Sequence, residues 1–285
     1  MTIKAAIAAL AALVLCLGLA AQEEPRQPGR VETRSESLAY GARLWVKNRN
    51  GAITVTGWDK EELSLSAEIR DSGQRRIVLV VRRTGPDLDI EAQVLQPRLS
   101  LAPGPALSPW CRMTLNVPGR LLGQFRALNG PISVDRVVGF VHCETVNGDI
   151  TLGAIAGEVQ VETVNGNILA RGLHARIRGG TANGGIILEN VDGQVKMVTT
   201  NGYITARNLD GWGEGISLES TNGAIEVELG RAAGDLVAEN AHGDIRVRAG
   251  NAQVLELGKH RVHVRIPGSS QKILIGTTNG SIEVH

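Results

Sequence analysis

Asn-Gly recurs in this chain with the Asn at positions 129, 147, 165, 183 and 201, a constant spacing of 18 residues. A period held that strictly admits few folds, because every repeat must offer the same side chains to the same neighbours. Further along the interval lengthens, to Asn222-Gly223, then His242-Gly243 in the same role, and finally Asn279-Gly280. Lys259-His260 fits the slot between the last two as a degenerate member, with Leu255, Leu257, Val262 and Val264 keeping the apolar phase. An earlier Asn-Gly stands at Asn50-Gly51.

Aligned on the Asn, the repeats resolve into columns. Three residues on stand Ile132, Ile150, Ile168, Ile186, Ile204, Ile225, Ile245 and Ile282, and five on are Val134, Leu152, Ala170, Leu188, Ala206, Val227, Val247 and Val284. Two before are Thr145, Thr163, Thr181, Thr199, Ser220 and Thr277, with Ala127 and Asn240 as variants. Six before comes an aliphatic residue from Val141 onward, while the intervening positions are mostly polar. Each repeat therefore reads as two short strands, one on each side of Asn-Gly, with alternate residues facing in. Aromatic residues make up only 3% of the chain, so the interior must be built from Val, Ile, Leu and Ala. No stretch after residue 21 carries the i, i+3, i+4, i+7 spacing of an amphipathic helix.

Asn-Gly is also the commonest signal for a two-residue hairpin. In a hairpin of that type the residue after Gly donates its N–H back across the turn, and at "LNGPI" that residue is Pro131, which has none. Eighteen residues at about 3.3 Å each give a circuit of roughly 60 Å, enough for a flattened coil. The expectation is an all-β, repetitive β-solenoid of the parallel β-helix kind with about 18–21 residues per coil, preceded by an irregular N-terminal β region. An antiparallel meander with the same inward columns is the alternative. A sharp corner at Asn-Gly is expected to use the left-handed conformation that both residues tolerate.

Residues 1–21 carry Lys4 and then an apolar run ending in small residues, which reads as a secretory signal peptide. Residues 22–40 are polar and read as a flexible leader, residues 41–120 as the N-terminal β-strand region, and residues 121–285 as the Asn-Gly repeat. The expected location is therefore exported, periplasmic or at the cell surface, with no membrane span after signal cleavage. Beyond the signal two cysteines remain, Cys111 and Cys143, each on the apolar phase of its strand. They could pair in an oxidising compartment or stand as two buried thiols. Neither lies in a C-x-x-C or Cys/His spacing that would suggest zinc.

The columns T-x-N-G-x-I, the early "VKNRNGAITVTGW" and the "LNVPG" strand together resemble the putative-adhesin, β-strand-repeat family of bacterial envelope proteins. The similarity covers most of residues 41–285. It implies an exported, repetitive β-structure with a solenoid-like body, and it brings no catalytic residues with it. His242 and Lys259 depart from the pattern.

With 30 basic and 29 acidic side chains scattered along the chain, no nucleic-acid partner is indicated. The residues just after Asn-Gly include Asp149 and Asp244, about five coils or roughly 24 Å apart, too far for paired-carboxylate catalysis. "KHRVHVR", with His260 and His263, is the one basic cluster, and it could take a metal or an acidic glycan, though a solvated strand face explains it as well. Trp45, Trp58, Trp110 and Trp212 are isolated in sequence, and Trp212 in the long "DGWGEG" turn is the best candidate for an exposed contact. No catalytic, cofactor or metal residue is assigned. The expected function is a non-enzymatic envelope structural or adhesin-like module binding glycan or protein, with a polysaccharide lyase or hydrolase on a parallel coil as the alternative.

Overall fold

The computed structural model describes residues 29–72, 75–95 and 108–285, and they are β-structure throughout. The signal peptide expected at 1–21 lies outside the described residues, as does the start of the leader. The first strands are β1 (Arg30–Ser37), β2 (Arg43–Asn50), β3 (Ile53–Trp58), β4 (Glu62–Arg70), β5 (Arg76–Thr84), β6 (Asp87–Leu95) and β7 (Trp110–Pro118). Then come β8 (Arg120–Asn129), β9 (Ile132–Asp135), β10 (Val138–Asn147), β11 (Ile150–Gly153), β12 (Ala156–Asn165) and β13 (Ile168–Asn183). They are followed by β14 (Ile186–Asp192), β15 (Val195–Asn201), β16 (Ile204–Asp210), β17 (Ile216–Asn222) and β18 (Ile225–Leu229). Last are β19 (Gly234–His242), β20 (Ile245–Val247), β21 (Gln253–Leu257), β22 (Arg261–Ile266), β23 (Lys272–Asn279) and β24 (Ile282–Val284).

Coil, not meander, is what the pairing gives. β10 lies parallel between β8 and β12, with Asn147 in register with Asn129 and Asn165. β11 lies parallel between β9 and β13. Strands before Asn-Gly thus stack on strands before Asn-Gly, and strands after it on strands after it. Pro131 takes its place by accepting from Ile53 N–H through its carbonyl at 3.0 Å, a bond that needs no donor from proline. The +3 column is buried from Ile132 to Ile225 and again at Ile282, and each such Ile withdrawn from water contributes about 1.5–3 kcal/mol. A further buried column follows the second corner, at Val137, Ile155, Leu173, Val191 and Leu209.

The Asn-Gly corner works differently from the expectation. Positive φ is found there only at Gly51 (116°), Gly130 (152°) and Gly243 (127°), whereas a left-handed residue recurs seven positions after the Asn, at Arg136 (φ 57°), Ala154 (46°), Gly172 (62°), Asn190 (54°) and Asn208 (53°). Glycine at the Asn-Gly corner is required by proximity instead. A Cβ added to Gly184 would sit 2.1 Å from Gly166 O, and one on Gly202 1.9 Å from Gly184 O. The Asn side chains form a ladder, each amide donating to Oδ1 of the Asn below: Asn147 to Asn129 at 2.8 Å, then Asn165, Asn183 and Asn201 each at 2.9 Å. The threonine column donates to the corner carbonyls, Thr145 to Gly130 O at 3.1 Å and Thr181 to Gly166 O at 2.9 Å. These carbonyls lie between the backbone bonds of the ladder, so a buried hydroxyl supplies the donor they need.

Chain order and stacking order part company at both ends. At one end β2 and β3 are held between β8/β9 and an outer layer of β6 and β7. The N-terminal region is thus built into the stack rather than preceding it irregularly. At the other end β23 lies between β17 and β19, so the coil of residues 272–284 is inserted beneath the coil that precedes it in sequence. Antiparallel strands close both ends: β4 on β7 and β5 on β6 at one, β22 on β19 at the other.

Two sequence expectations are corrected here. Part of the expected flexible leader, Arg30–Ser37, is a strand paired antiparallel to β4. Its polar composition describes its exposed side chains, while its backbone satisfies a sheet edge. Residues around Lys259-His260 are not a degenerate coil but the turn of the β21–β22 hairpin, closed by Gly258 N–H to Arg261 O at 2.8 Å. A side chain in the Gly slot, His260, cannot meet the approach of about 2 Å found at true corners. Val262 and Val264 do face in, but Leu255 and Leu257 are exposed.

Candidate functional site

The outward positions of the strands before Asn-Gly form the long flank of the stack. Three residues before each corner Asn, or before His242 in the last coil, stand in stacking order Arg126, Glu144, Glu162, Gly180, Val198, Glu219, Gly276 and Glu239. Cross-coil ion pairs run along this face, Arg126 to Glu144 at 2.9 Å among them. At Gly276 the ridge is interrupted, and a Cβ there would meet nothing within 4 Å.

The interruption opens a groove of about 710 Å³, walled by Glu219, Glu239, His260, Arg261, Leu274 and Val198. Glu219 and Glu239 each lie in register with Gly276, one on either side. The Glu219 carboxylate accepts from Ser217 Oγ at 3.2 Å. Arg261 holds Glu239 at 3.1 Å and Glu256 at 3.2 Å. His260 Nδ1 lies 3.1 Å from Asn240 Oδ1, which positions the ring at the groove's outer end. The groove therefore offers one carboxylate met only by a hydroxyl, one neutralised carboxylate, a guanidinium, an imidazole and the apolar face of Leu274.

The sequence candidates are dispersed by the fold. Asp149 and Asp244 are six layers apart, not five, because the 272–284 coil intervenes, so their separation is roughly 29 Å. In "KHRVHVR", Arg261 and Arg265 are both spent on acids, Arg265 meeting Asp235 with both carboxylate oxygens at 2.9 Å, and His263 lies 3.8 Å from the same Asp235. Among the described residues no three of His, Cys, Asp and Glu come together as a metal-binding group. Trp212 is 41% exposed and packs beside His174, ring centroids 6.1 Å apart, with His174 Nδ1 2.7 Å from Asp192. The other tryptophans are isolated only in sequence. Lys47 Nζ lies 4.3 Å from the Trp45 ring centroid, Lys60 Nζ 4.8 Å from that of Trp58, and Arg70 and Arg112 flank Trp110.

Cys111 and Cys143 are free thiols, both fully buried. They belong to layers three steps apart, roughly 14 Å, beyond the reach of a disulfide. Burial raises both pKa values, that of Cys111 to about 12.

Sequence reasoning missed the groove because Gly276 is two repeats beyond Glu219 in the chain yet beside it in the stack. The available signal was a glycine at a column position that elsewhere carries mainly charged side chains.

A stack of parallel coils in register, aliphatic within and polar on its flanks, defines a β-solenoid. The chain belongs to the Toastrack DUF4097 family, whose profile matches residues 42–285. Comparison with curated proteins gave no match. Similar solved structures include a "putative adhesin" from Bacteroides fragilis, 11% identical with a TM-score of 0.46, covering 90% of this chain and 97% of that one. A "putative lipid binding protein" from Parabacteroides distasonis is 15% identical, with a TM-score of 0.41 and the same coverage. A "putative cell adhesion protein" from Clostridium sporogenes is 11% identical, with a TM-score of 0.26, covering 90% and 98%.

Proposed function

We propose that this chain is exported and acts at the cell envelope as a non-enzymatic binding module, holding a glycan or protein against the flank of a rigid stack. The groove over Gly276 carries this reading. It is an open concavity of mixed polar and apolar character, set in a face whose neighbouring strands are fixed by parallel pairing on both sides. Such a surface suits a ligand that lies across coils. Because a Cβ at position 276 would meet nothing within 4 Å and the position lies in the groove, Gly276→Trp is expected to fill the groove without disturbing the core. Retention of the purified chain on envelope polysaccharide or surface protein is expected to fall in that variant, with Tm unchanged. Retention equal to wild type would remove the groove from the proposal, and cell fractionation tests export.

One observation favours a second reading, a carbohydrate-active enzyme. Glu219 and Glu239 flank Gly276 on strands two spacings apart, roughly 9.6 Å between backbones, so one groove carries two carboxylates, the pair of groups that glycoside hydrolysis uses. Polysaccharide turnover that disappears in both Glu219→Gln and Glu239→Gln would replace the binding-module reading with this one.

A further inference from the structure

Where the second corner of the solenoid meets its N-terminal end, a separate cleft of about 600 Å³ opens between Tyr40, Trp58, Asp59, Arg120, Arg136 and Val138. Its size is that of an ordinary small-ligand site. Its floor is backbone, at Gly57 and Gly119, and it cannot be filled from below, since a Cβ on Gly57 would stand 1.7 Å from Arg136 O. The Trp58 indole is fixed by its N–H donating to Glu62 O at 2.7 Å. Tyr40 and Val138 leave nearly half their surface to solvent, 46% and 45%.

The cations are placed in an unusual way. Arg136 occupies the left-handed position of its coil, where the sister coils use Ala154, Gly172, Asn190 and Asn208. A long side chain is disfavoured at that backbone conformation relative to glycine, and the Arg136 side chain is 65% exposed, with Asp135 at 3.2 Å. Arg120, also exposed, makes no ion pair among the described residues. Two guanidinium groups thus border a cleft that also holds two aromatic rings and one carboxylate.

We propose that this cleft binds an acidic saccharide. A pyranose ring lies against Tyr40 and beside Trp58, one face of which already carries Lys60 Nζ at 4.8 Å from the ring centroid. Its carboxylate is held by the donor forks of Arg120 and Arg136, and Asp59 accepts from its hydroxyls. The proposal rests on the binding-module reading for the class of ligand only, because the cleft is distinct from the groove over Gly276. A peptide carboxylate would use the same arginines, but a sugar ring carries hydroxyl donors for Asp59 on the same rigid frame as its carboxylate, so the saccharide is favoured.

The test is calorimetry on the full chain with an oligogalacturonate probe, a neutral galactose oligomer and a short peptide ending in an aromatic residue. The oligogalacturonate is expected to bind, and Arg120→Gln and Tyr40→Ala are each expected to weaken it about tenfold or more without a change in Tm. Trp58→Ala is less useful, since it also removes the bond to Glu62. Equal binding of the neutral oligomer, binding of the peptide alone, wild-type affinity in both variants, or no binding of oligogalacturonate would each overturn the proposal. Oligogalacturonate binding lost in Gly276→Trp but kept in Arg120→Gln would overturn the cleft and leave the module standing. Cleavage of the probe, lost in Glu219→Gln, would overturn the module itself.

Discussion

The side-chain amide of Asn279 donates to Asn222 Oδ1 at 2.8 Å, although 57 residues of chain separate the two. That single bond records how the stack closes. Asn222 in turn donates to Asn201, and at the far end Asn129 donates to Asn50 at 2.7 Å and Asn50 to the Pro109 carbonyl at 3.1 Å. Eight asparagines therefore form one ladder running through coils that are not consecutive in sequence. At both ends of the threonine column, asparagine replaces threonine: Asn48 donates to Gly51 O and Cys111 O, and Asn240 to Gly280 O.

Within that ladder Asn165 both donates to Asn147 and accepts from Asn183. Asn165→Ala is expected to cost about 1–2 kcal/mol in urea unfolding, at roughly 0.5–1.5 kcal/mol per bond. Asn165→Asp should cost more, because it sets a carboxylate against Asn147 Oδ1. An Asp variant as stable as the Ala variant would show that the ladder carries little energy.

The two corners should respond oppositely to substitution. Gly184→Ala forces a Cβ against Gly166 O and is expected to cost about 3 kcal/mol or more. Gly172→Asn enters a left-handed position with open space, next to Asn190 and Asn208, whose side chains already bond at 2.6 Å. That change should leave stability within about 0.5 kcal/mol or raise it by up to about 1 kcal/mol. Comparable losses at both positions in thermal melts would contradict the distinction drawn between close approach and backbone conformation.

Removing residues 272–285 takes out a coil that is paired on both sides. Amide hydrogen exchange is then expected to show β19–β22 deprotected while β8–β16 keep their protection. Persistent protection of β19 would mean that the His242 coil can dock directly on Asn222, and that the insertion is dispensable.

Both thiols should resist labelling in the native state and react only after unfolding. Their pKa values are raised by burial, that of Cys111 to about 12 against an unfolded value near 9, so the protonated form is the one the fold favours. The stability this represents is fully present below about pH 9 and is lost as pH rises toward about 12. Cys111→Val should flatten that alkaline loss in denaturant titrations. Rapid native-state labelling at pH 8 would show that the strand opens locally.

Periodicity in sequence determined the coil, its length, its inward Ile, Val and Thr columns and the use of Asn-Gly as a corner, because each is a local relation repeated every 18 residues. The reason glycine is needed there was not legible. A carbonyl 1.9–2.2 Å from a hypothetical Cβ belongs to the neighbouring coil and leaves no mark on one repeat. Nor were the end coils legible, since which strand edge a coil pairs with is decided by competition among edges with the same columns. Tucking β2/β3 and β23/β24 between two layers gives each of them backbone partners on both sides. That long-range pairing alone set Gly276 between Glu219 and Glu239, and gathered Tyr40, Trp58, Arg120 and Arg136 from four segments into one cleft. The repeat wrote the scaffold, and the places where a ligand could sit arose where the tertiary structure departs from chain order or puts an unusual residue at a regular corner.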